Sequence, residues 1–283
     1  MPANRPLQYQ LQSMPSWALF NVTDFNMTDA NSSEIHFPNI NIEDVSVVGQ
    51  MVNASNSTLV VESNNGRFIY KPRSGERPLW DFPDHTLHLR ERAAFVTSEL
   101  LGWNVVPQTV INDGPYGIGS FQKWIDAEPT TVDIFSPNEV PQGWLTIMSG
   151  IDEEGDHVTL AHEDSPRLKQ IAIFDALINN ADRKAGHLLT DASGETFGID
   201  HGVTFSDEDK LRTVLWGWIG QSIPESLLAD LEAFRVKIPG SELEELLEVS
   251  EIVALTKRLD VLLALKVLPS PSPHWPAVPW PVF

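Results

Sequence analysis

Residues 57–72, STLVVESNNGRFIYKP, constrain the fold more than any other stretch, because two β-rich runs stand on either side of Asn64, Asn65 and Gly66. Asn-Gly supplies the positive φ angles of a tight turn, so the stretch reads as an antiparallel hairpin whose second strand ends at Lys71. TLHLRERAAFVTSELLGW follows, with Leu87, Glu91, Ala94, Phe95, Ser98 and Leu101 at helical spacing and Gly102 as its stop. VVPQTVIN and GSFQKWID then read as two more strands. The first half of the chain is expected to be a small sheet carrying one helix.

The pattern changes afterwards. Residues 127–164 are rich in proline and acid, including the run DEEGD, and read as loop interrupted by the apolar GWLTIM. Ser165 and Pro166 mark a helix start, a capping hydroxyl followed by a residue with no N–H to satisfy. Leu168, Ile171, Phe174 and Ile178 then recur on one face. HLLT and TFGIDHG, joined at Ser193 and Gly194, read as a second hairpin. Leu227, Leu228, Leu231 and Phe234, then Leu246, Ile252, Leu255, Leu259 and Leu262, mark further amphipathic helices. The closing PSPSPHWPAVPWPVF cannot be helix, since proline removes donors and restricts the residue before it, and it is expected to pack along the surface, with a docking peptide as the alternative. The division is an irregular arm (1–40), a sheet lobe (41–126), a mainly helical lobe (127–268) and a Pro/Trp-rich tail (269–283): an α+β, bilobal chain.

Charge narrows the partners. Against 19 Lys and Arg stand 39 Asp and Glu, a formal net charge of -20. Such a surface repels nucleic acid and anionic headgroups, so neither is an expected partner. Cysteine is absent, which removes disulfides, thiolate metal sites and cysteine nucleophiles together and fits a reducing compartment. The start lacks the apolar core of a signal peptide, and no apolar run approaches the ~20 residues needed to span a bilayer. A cytoplasmic, soluble protein without integral membrane contact is expected.

Four separated features carry chemistry: a strand-end lysine (Lys71), a helix acid about a turn in (Glu91), the loop ADRKAGH with Asp182, and a strand-end acid before a glycine, GIDHG with Asp200. Each alone has an ordinary structural reading. Phosphoryl transfer, however, needs a cation on nucleotide phosphates, an acid holding that cation, an acid beside the acceptor hydroxyl and a carboxylate for Mg²⁺. The four residues supply these parts in the kinase chain order. His157, His162 and Glu163 lack metal-ligand spacing and read as solvated loop, and His85 and His88 read as surface.

DRKAGHLL followed by GIDHG resembles the DRHxxN…DxG pattern of the phosphatidylinositol 3- and 4-kinase-like superfamily, whose members include HipA-like protein kinases. More narrowly, YKPRSGERPLWDFP, NNADRKAGHLL and VPWPVF resemble an actinobacterial group of phosphatidylinositol-kinase-like proteins, over roughly residues 45 to 283. The resemblance implies a protein-kinase-like fold with ATP in the cleft between lobes. It implies that Lys71 contacts the α- and β-phosphates and pairs with Glu91, that Asp182 is the catalytic acid of its loop, and that Asp200 is the main Mg²⁺ ligand. Backbone groups of Gln122, Lys123 and Trp124 would meet the adenine, and the polar turn NASNST, with Ser55 and Asn56, would cover the phosphates. Arg183 is expected to brace the loop.

Three departures bear on activity. His187 stands where the family has a metal-binding asparagine, and imidazole suits Zn²⁺ or Mn²⁺ better than Mg²⁺. The phosphate loop has no G-x-G-x-x-G, and His201 replaces the phenylalanine of the common protein-kinase motif. The expected function is an ATP- and divalent-metal-dependent phosphotransferase acting on a protein or small-molecule hydroxyl. The alternatives are a nucleotide-binding pseudokinase serving as scaffold or sensor, and AMP transfer on the same fold.

Overall fold

The computed structural model describes residues 19–20, 42–51, 56–128 and 131–283. Of the arm at 1–40, only the strand β1 (Leu19–Phe20) falls among them. It borders β2 (Ser46–Met51), followed by β3 (Leu59–Ser63) and β4 (Gly66–Pro72). With β5 (Thr109–Gly114) and β6 (Gly117–Lys123) these make one antiparallel sheet in the order β1-β2-β3-β4-β6-β5. The expected hairpin is β3–β4, with Leu59 opposite Tyr70 and Val61 opposite Phe68. Its turn differs in one respect: Gly66 takes a positive φ of 107°, whereas Asn64 and Asn65 do not. The glycine alone provides the left-handed residue that a two-residue type I′ turn would demand at both central positions.

Alternation along β4 sorts its side chains. Phe68 and Tyr70 join Leu59, Val61, Val110 and Phe121 in a compact core on one face. Lys71, one residue out of phase, points to the opposite face, where the helix α1 (Leu87–Leu101) lies against β5 and β6. Gly102 ends α1 in the left-handed conformation, as the sequence indicates, and the Trp103 N–H returns to Ser98 O. The helix is not simply amphipathic, because His88, Arg90, Glu91 and Arg92 are all buried. Each has a partner: His88 meets Glu76, Arg90 pairs with Glu251, and Arg92 forks onto Glu242 at 2.7 and 2.8 Å. His88 is therefore interior, not surface as expected, while His85 is exposed.

After β7 (Ala127–Glu128), the segment expected to be loop carries a three-stranded antiparallel sheet. Its strands are β8 (Val132–Phe135), β9 (Trp144–Ile151) and β10 (His157–Glu163), in the order β8-β10-β9. The pattern is hidden because Thr159 to His162 are buried consecutively and β9 is largely exposed, so neither strand alternates cleanly. The acidic run is the turn between them: Asp152 accepts the N–H groups of Glu154 and Asp156 at 3.0 and 2.8 Å. His162, expected in solvent, is wholly buried beside the Trp218 ring. Its Nδ1 donates to Glu163 O and its Nε2 accepts from Gly217 N, so it is satisfied as a neutral core residue.

The helix α2 (Pro166–Ile178) starts at the predicted cap, with Ser165 Oγ accepting Leu168 N at 3.2 Å. Its Leu168, Ile171, Phe174, Leu177 and Ile178 form the main core with α3 (Glu225–Arg235), α4 (Leu243–Leu246) and α5 (Val249–Leu265). The second expected hairpin is β11 (Leu188–Asp191) and β12 (Thr196–Gly198), extended by β7 in the order β12-β11-β7. The architecture is α+β and two-lobed, with the antiparallel sheet on the N-terminal side and helices C-terminal.

The tail does pack along the surface, and it also completes interior backbone. Val282 O accepts Ala185 N at 2.8 Å, and Ala277 O accepts both Thr213 N at 3.1 Å and Trp216 Nε1 at 2.7 Å. Trp275 stacks on Trp80 from the sheet lobe. Lys210, almost fully buried, sits 5.4 Å from the ring centroids of Trp80, Phe82 and Trp275, with Asp81 Oδ2 at 3.2 Å. One buried ammonium thereby joins both lobes and the tail.

Candidate functional site

Lys71 leaves β4 toward α1, and Glu91 waits one turn into that helix. Their Nζ and Oε1 are 2.5 Å apart, and the same Nζ lies 2.6 Å from Asp200 Oδ1. Glu91 Oε2 also accepts the backbone N–H of His201 at 3.0 Å, so one carboxylate ties the sheet lobe to the segment after β12. Asp200 takes a left-handed φ of 58°, and its carboxylate meets Lys71 Nζ and His187 Nε2. Burial opposes the Lys71 ammonium, but Asp200 and Glu91 outweigh it and hold its pKa above the usual lysine range. Burial would raise Asp200, yet Lys71 and then His187 hold it well below the usual carboxylate range.

Asp182 follows α2 in a short loop. Asn180 Oδ1 accepts its N–H at 3.0 Å, while Asn180 Nδ2 donates to Asp175 Oδ1. Beneath them runs Arg183, with no exposed surface. Its Nε and Nη2 fork onto Asp175 at 2.9 Å each, and its Nη1 reaches His187 O and Ile199 O at 3.2 and 2.7 Å. Nη2 also donates to His201 Nε2 at 2.7 Å, which makes His201 a structural acceptor. Arg183 thus braces the loop, and it braces the Asp200 segment at the same time. The close approach requires Gly198, where an added Cβ would lie 2.9 Å from Nη2.

His187 bridges the two acids. Its Nδ1 is 3.0 Å from Asp182 O, a carbonyl that can only accept, so Nδ1 carries the proton. Burial drives its pKa down to about 4, leaving it neutral near pH 7 with a lone pair on Nε2. That Nε2 faces Asp200 Oδ2 at 3.3 Å. Two electron-rich atoms converging in this way fit a divalent cation. No group of three or more His, Asp or Glu side chains among the described residues could hold a metal by itself. A cation here needs further oxygen ligands from phosphates or water, as Mg²⁺ and Mn²⁺ commonly do.

The remaining sequence candidates are placed differently. Ser55 lies outside the described residues. Asn56 Oδ1 accepts Arg77 N at 2.8 Å and Ser57 N donates to Gly75 O, so this end of the polar turn is docked on the segment after β4. Gln122 is buried with its amide on Thr109 Oγ1. The N–H groups of Lys123 and Trp124 are taken by Gln108 O and Arg67 O, so they are not free to meet a base. Asp175 is the residue that sequence reasoning missed. A single charge inside the apolar run IAIFDALI is its signal, since a buried carboxylate requires a partner.

No known protein-family profile matches the chain. The protein Rv2133c of Mycobacterium tuberculosis is 43% identical over 258 residues, which are 85% of this chain and 92% of that one. The chain belongs to the Rv2133c family. The crystal structure of the Helicobacter pylori proinflammatory kinase CtkA aligns with 80% of this family member and 93% of its own chain, at 12% identity and a TM-score of 0.43.

The acid–base character of this Rv2133c-family site has a measurable signature. Burial pushes the Asp182 carboxyl up to about 6; Lys184 opposes the shift and Asp200 adds to it. A base must be ionised, so any reaction that uses Asp182 as its base is expected to slow about tenfold per pH unit below about 6 and to level off above it. A rate profile taken from about one pH unit below this pKa to about two above it checks this, and a flat profile would exclude Asp182 as the base.

Proposed function

We propose that this protein is a kinase-like phosphotransferase that uses ATP and a divalent cation, with a hydroxyl on a protein or small molecule as acceptor. The observation that carries the reading is the Lys71 ammonium held between Glu91 and Asp200 across two lobes, at 2.5 and 2.6 Å. In this reading Glu91 aims Lys71 at the nucleotide phosphates, Asp182 accepts the proton of the acceptor hydroxyl, and Asp200 with His187 Nε2 holds the cation. A bound divalent cation supplies charge neutralisation on the phosphates. The protein contributes position and electrostatics, which is what phosphoryl transfer asks of it. The phosphatidylinositol 3- and 4-kinase-like resemblance supports the chain order of these groups. A lipid acceptor is disfavoured by the net charge of -20, and no helix among the described residues is long and apolar enough to cross a membrane.

One observation favours a second reading, a nucleotide-binding pseudokinase. Lys71 sits directly on Asp200, so the lysine must be drawn off before that carboxylate can serve a cation fully. Thermal unfolding with ATP separates the two. Ligand at about a hundred times its Kd adds roughly 2.7 kcal/mol of stability. The enzyme is expected to shift only when metal is present, and more with Mn²⁺ than Mg²⁺ because one ligand is imidazole. A shift indifferent to metal would favour the pseudokinase, and no shift with any nucleotide would defeat both readings.

A further inference from the structure

Arg212 is set beside Asp182 by the chain itself. Its N–H donates to Asn180 O at 2.9 Å, its carbonyl accepts Arg183 N at 3.1 Å, and its Nε donates to Ala181 O at 2.6 Å. Ala181 immediately precedes Asp182, so the Arg212 backbone is held at two points against the loop and its guanidinium at one, through Nε. Its two terminal nitrogens have no acceptor among the described residues. Among the described residues Arg73, Arg77, Arg212 and Arg258 make no ion pair, unlike Arg67, Arg90, Arg92, Arg167, Arg183 and Arg235, and of these four Arg212 is the one whose charge acts on the Asp182 carboxyl. In a chain with twice as many acids as bases, an arginine left unpaired next to an acid-rich cleft calls for an explanation.

Lys184 flanks the same acid from the other side in sequence. Its Nζ is 3.7 Å from Asp182 Oδ2, too far for a hydrogen bond, and its side chain is partly exposed. Two cations therefore border Asp182 with donors to spare. A guanidinium with Nε anchored and the outer fork open matches the two oxygens of a phosphate or carboxylate, and a nearby ammonium adds a point charge.

We infer that Arg212 and Lys184 form a seat for a phosphate-like anion beside Asp182. The seat takes either an acidic group on the acceptor or the terminal phosphate of the nucleotide. An anionic acceptor held there has its hydroxyl oriented against Asp182 before reaction, which lowers the entropic part of the barrier. This inference rests on the phosphotransferase reading for its role, but the seat itself is testable without nucleotide.

The test has two arms. First, thermal unfolding of the protein without nucleotide is compared in inorganic phosphate and in chloride at equal ionic strength. Phosphate is expected to stabilise the wild type, with the effective affinity reduced by about tenfold in Lys184→Gln and at least as much in Arg212→Gln, the usual consequence of losing a charge-assisted contact. Reading the phosphate-minus-chloride difference cancels any general weakening from loss of the Ala181 contact, and Arg212→Lys, which keeps charge without the fork, is expected to fall between. Equal shifts in both salts, or variants that respond like the wild type, overturn the seat even if ATP binding stands. Second, the affinities for ADP and for a non-hydrolysable ATP analogue are measured in the same variants. Weakening confined to the ATP analogue assigns the seat to the terminal phosphate, and unchanged affinities for both assign it to the acceptor.

Discussion

On the proposed phosphotransferase reading, Asp182→Asn is expected to lower the rate of phosphate transfer by about 10²–10⁴ while leaving metal–ATP affinity unchanged, the range that a positioned general base contributes. Asparagine keeps the shape and the contact with the Asn180 side chain, which is made through the backbone N–H, so the loop should hold. It removes only the carboxylate, whose pKa near 6 suits proton acceptance at neutral pH. Lys71, Glu91 and Asp200 stay in place, and nucleotide binding measured by calorimetry is expected to report that. Transfer within a few-fold of wild type would take Asp182 out of the reaction and leave the pH profile to another group.

The largest expected change in stability comes from Arg183→Ala. Arg183 and Asp175 are both without exposed surface, and removing one leaves the other as an uncompensated buried charge, a loss of about 3–5 kcal/mol. His187 O and Ile199 O lose a donor as well, and His201 Nε2 loses the N–H it accepts. Urea denaturation measures the loss. Asp175→Ala should cost about as much, and because the two residues share one network, the double variant should lose clearly less than the sum. A loss below about 1 kcal/mol would mean that water takes the place of Arg183, contrary to its burial. Because Arg183 spans the Asp182 loop and the Asp200 segment, activity should fall with stability even in conditions where the fold survives.

The legible parts of the sequence are those with local causes. Asn64 to Gly66 marks a hairpin, Gly102 a helix end, and Ser165 with Pro166 a helix start, because capping and turn chemistry act within a few residues. Lys71, Glu91, Asp182 and Asp200 could be read as a group because their order along the chain is itself a pattern, and the structure brings them together with His187. What was hidden depends on distant partners. His88, Arg90 and Arg92 look like the solvent face of α1 until Glu76, Glu251 and Glu242 arrive from elsewhere. The strands β9 and β10 lack alternation because one is exposed and the other buried along its middle. The docking of Asn56 on Arg77 and the use of the Lys123 and Trp124 N–H groups are likewise tertiary facts.

The tail changes the order in which the site can come into being. Every group assigned to phosphate chemistry lies before residue 213, yet the Ala185 and Thr213 N–H groups find their acceptors only at Val282 and Ala277. The Lys210 ammonium likewise waits for Trp275 to close its ring of aromatics. Chains fold from the N-terminus as they leave the ribosome, so a partly made molecule contains all of the reactive side chains and an unfinished loop beneath them. The backbone beneath the site is thus completed by residues 277–282 and not by the segments that carry the reactive side chains.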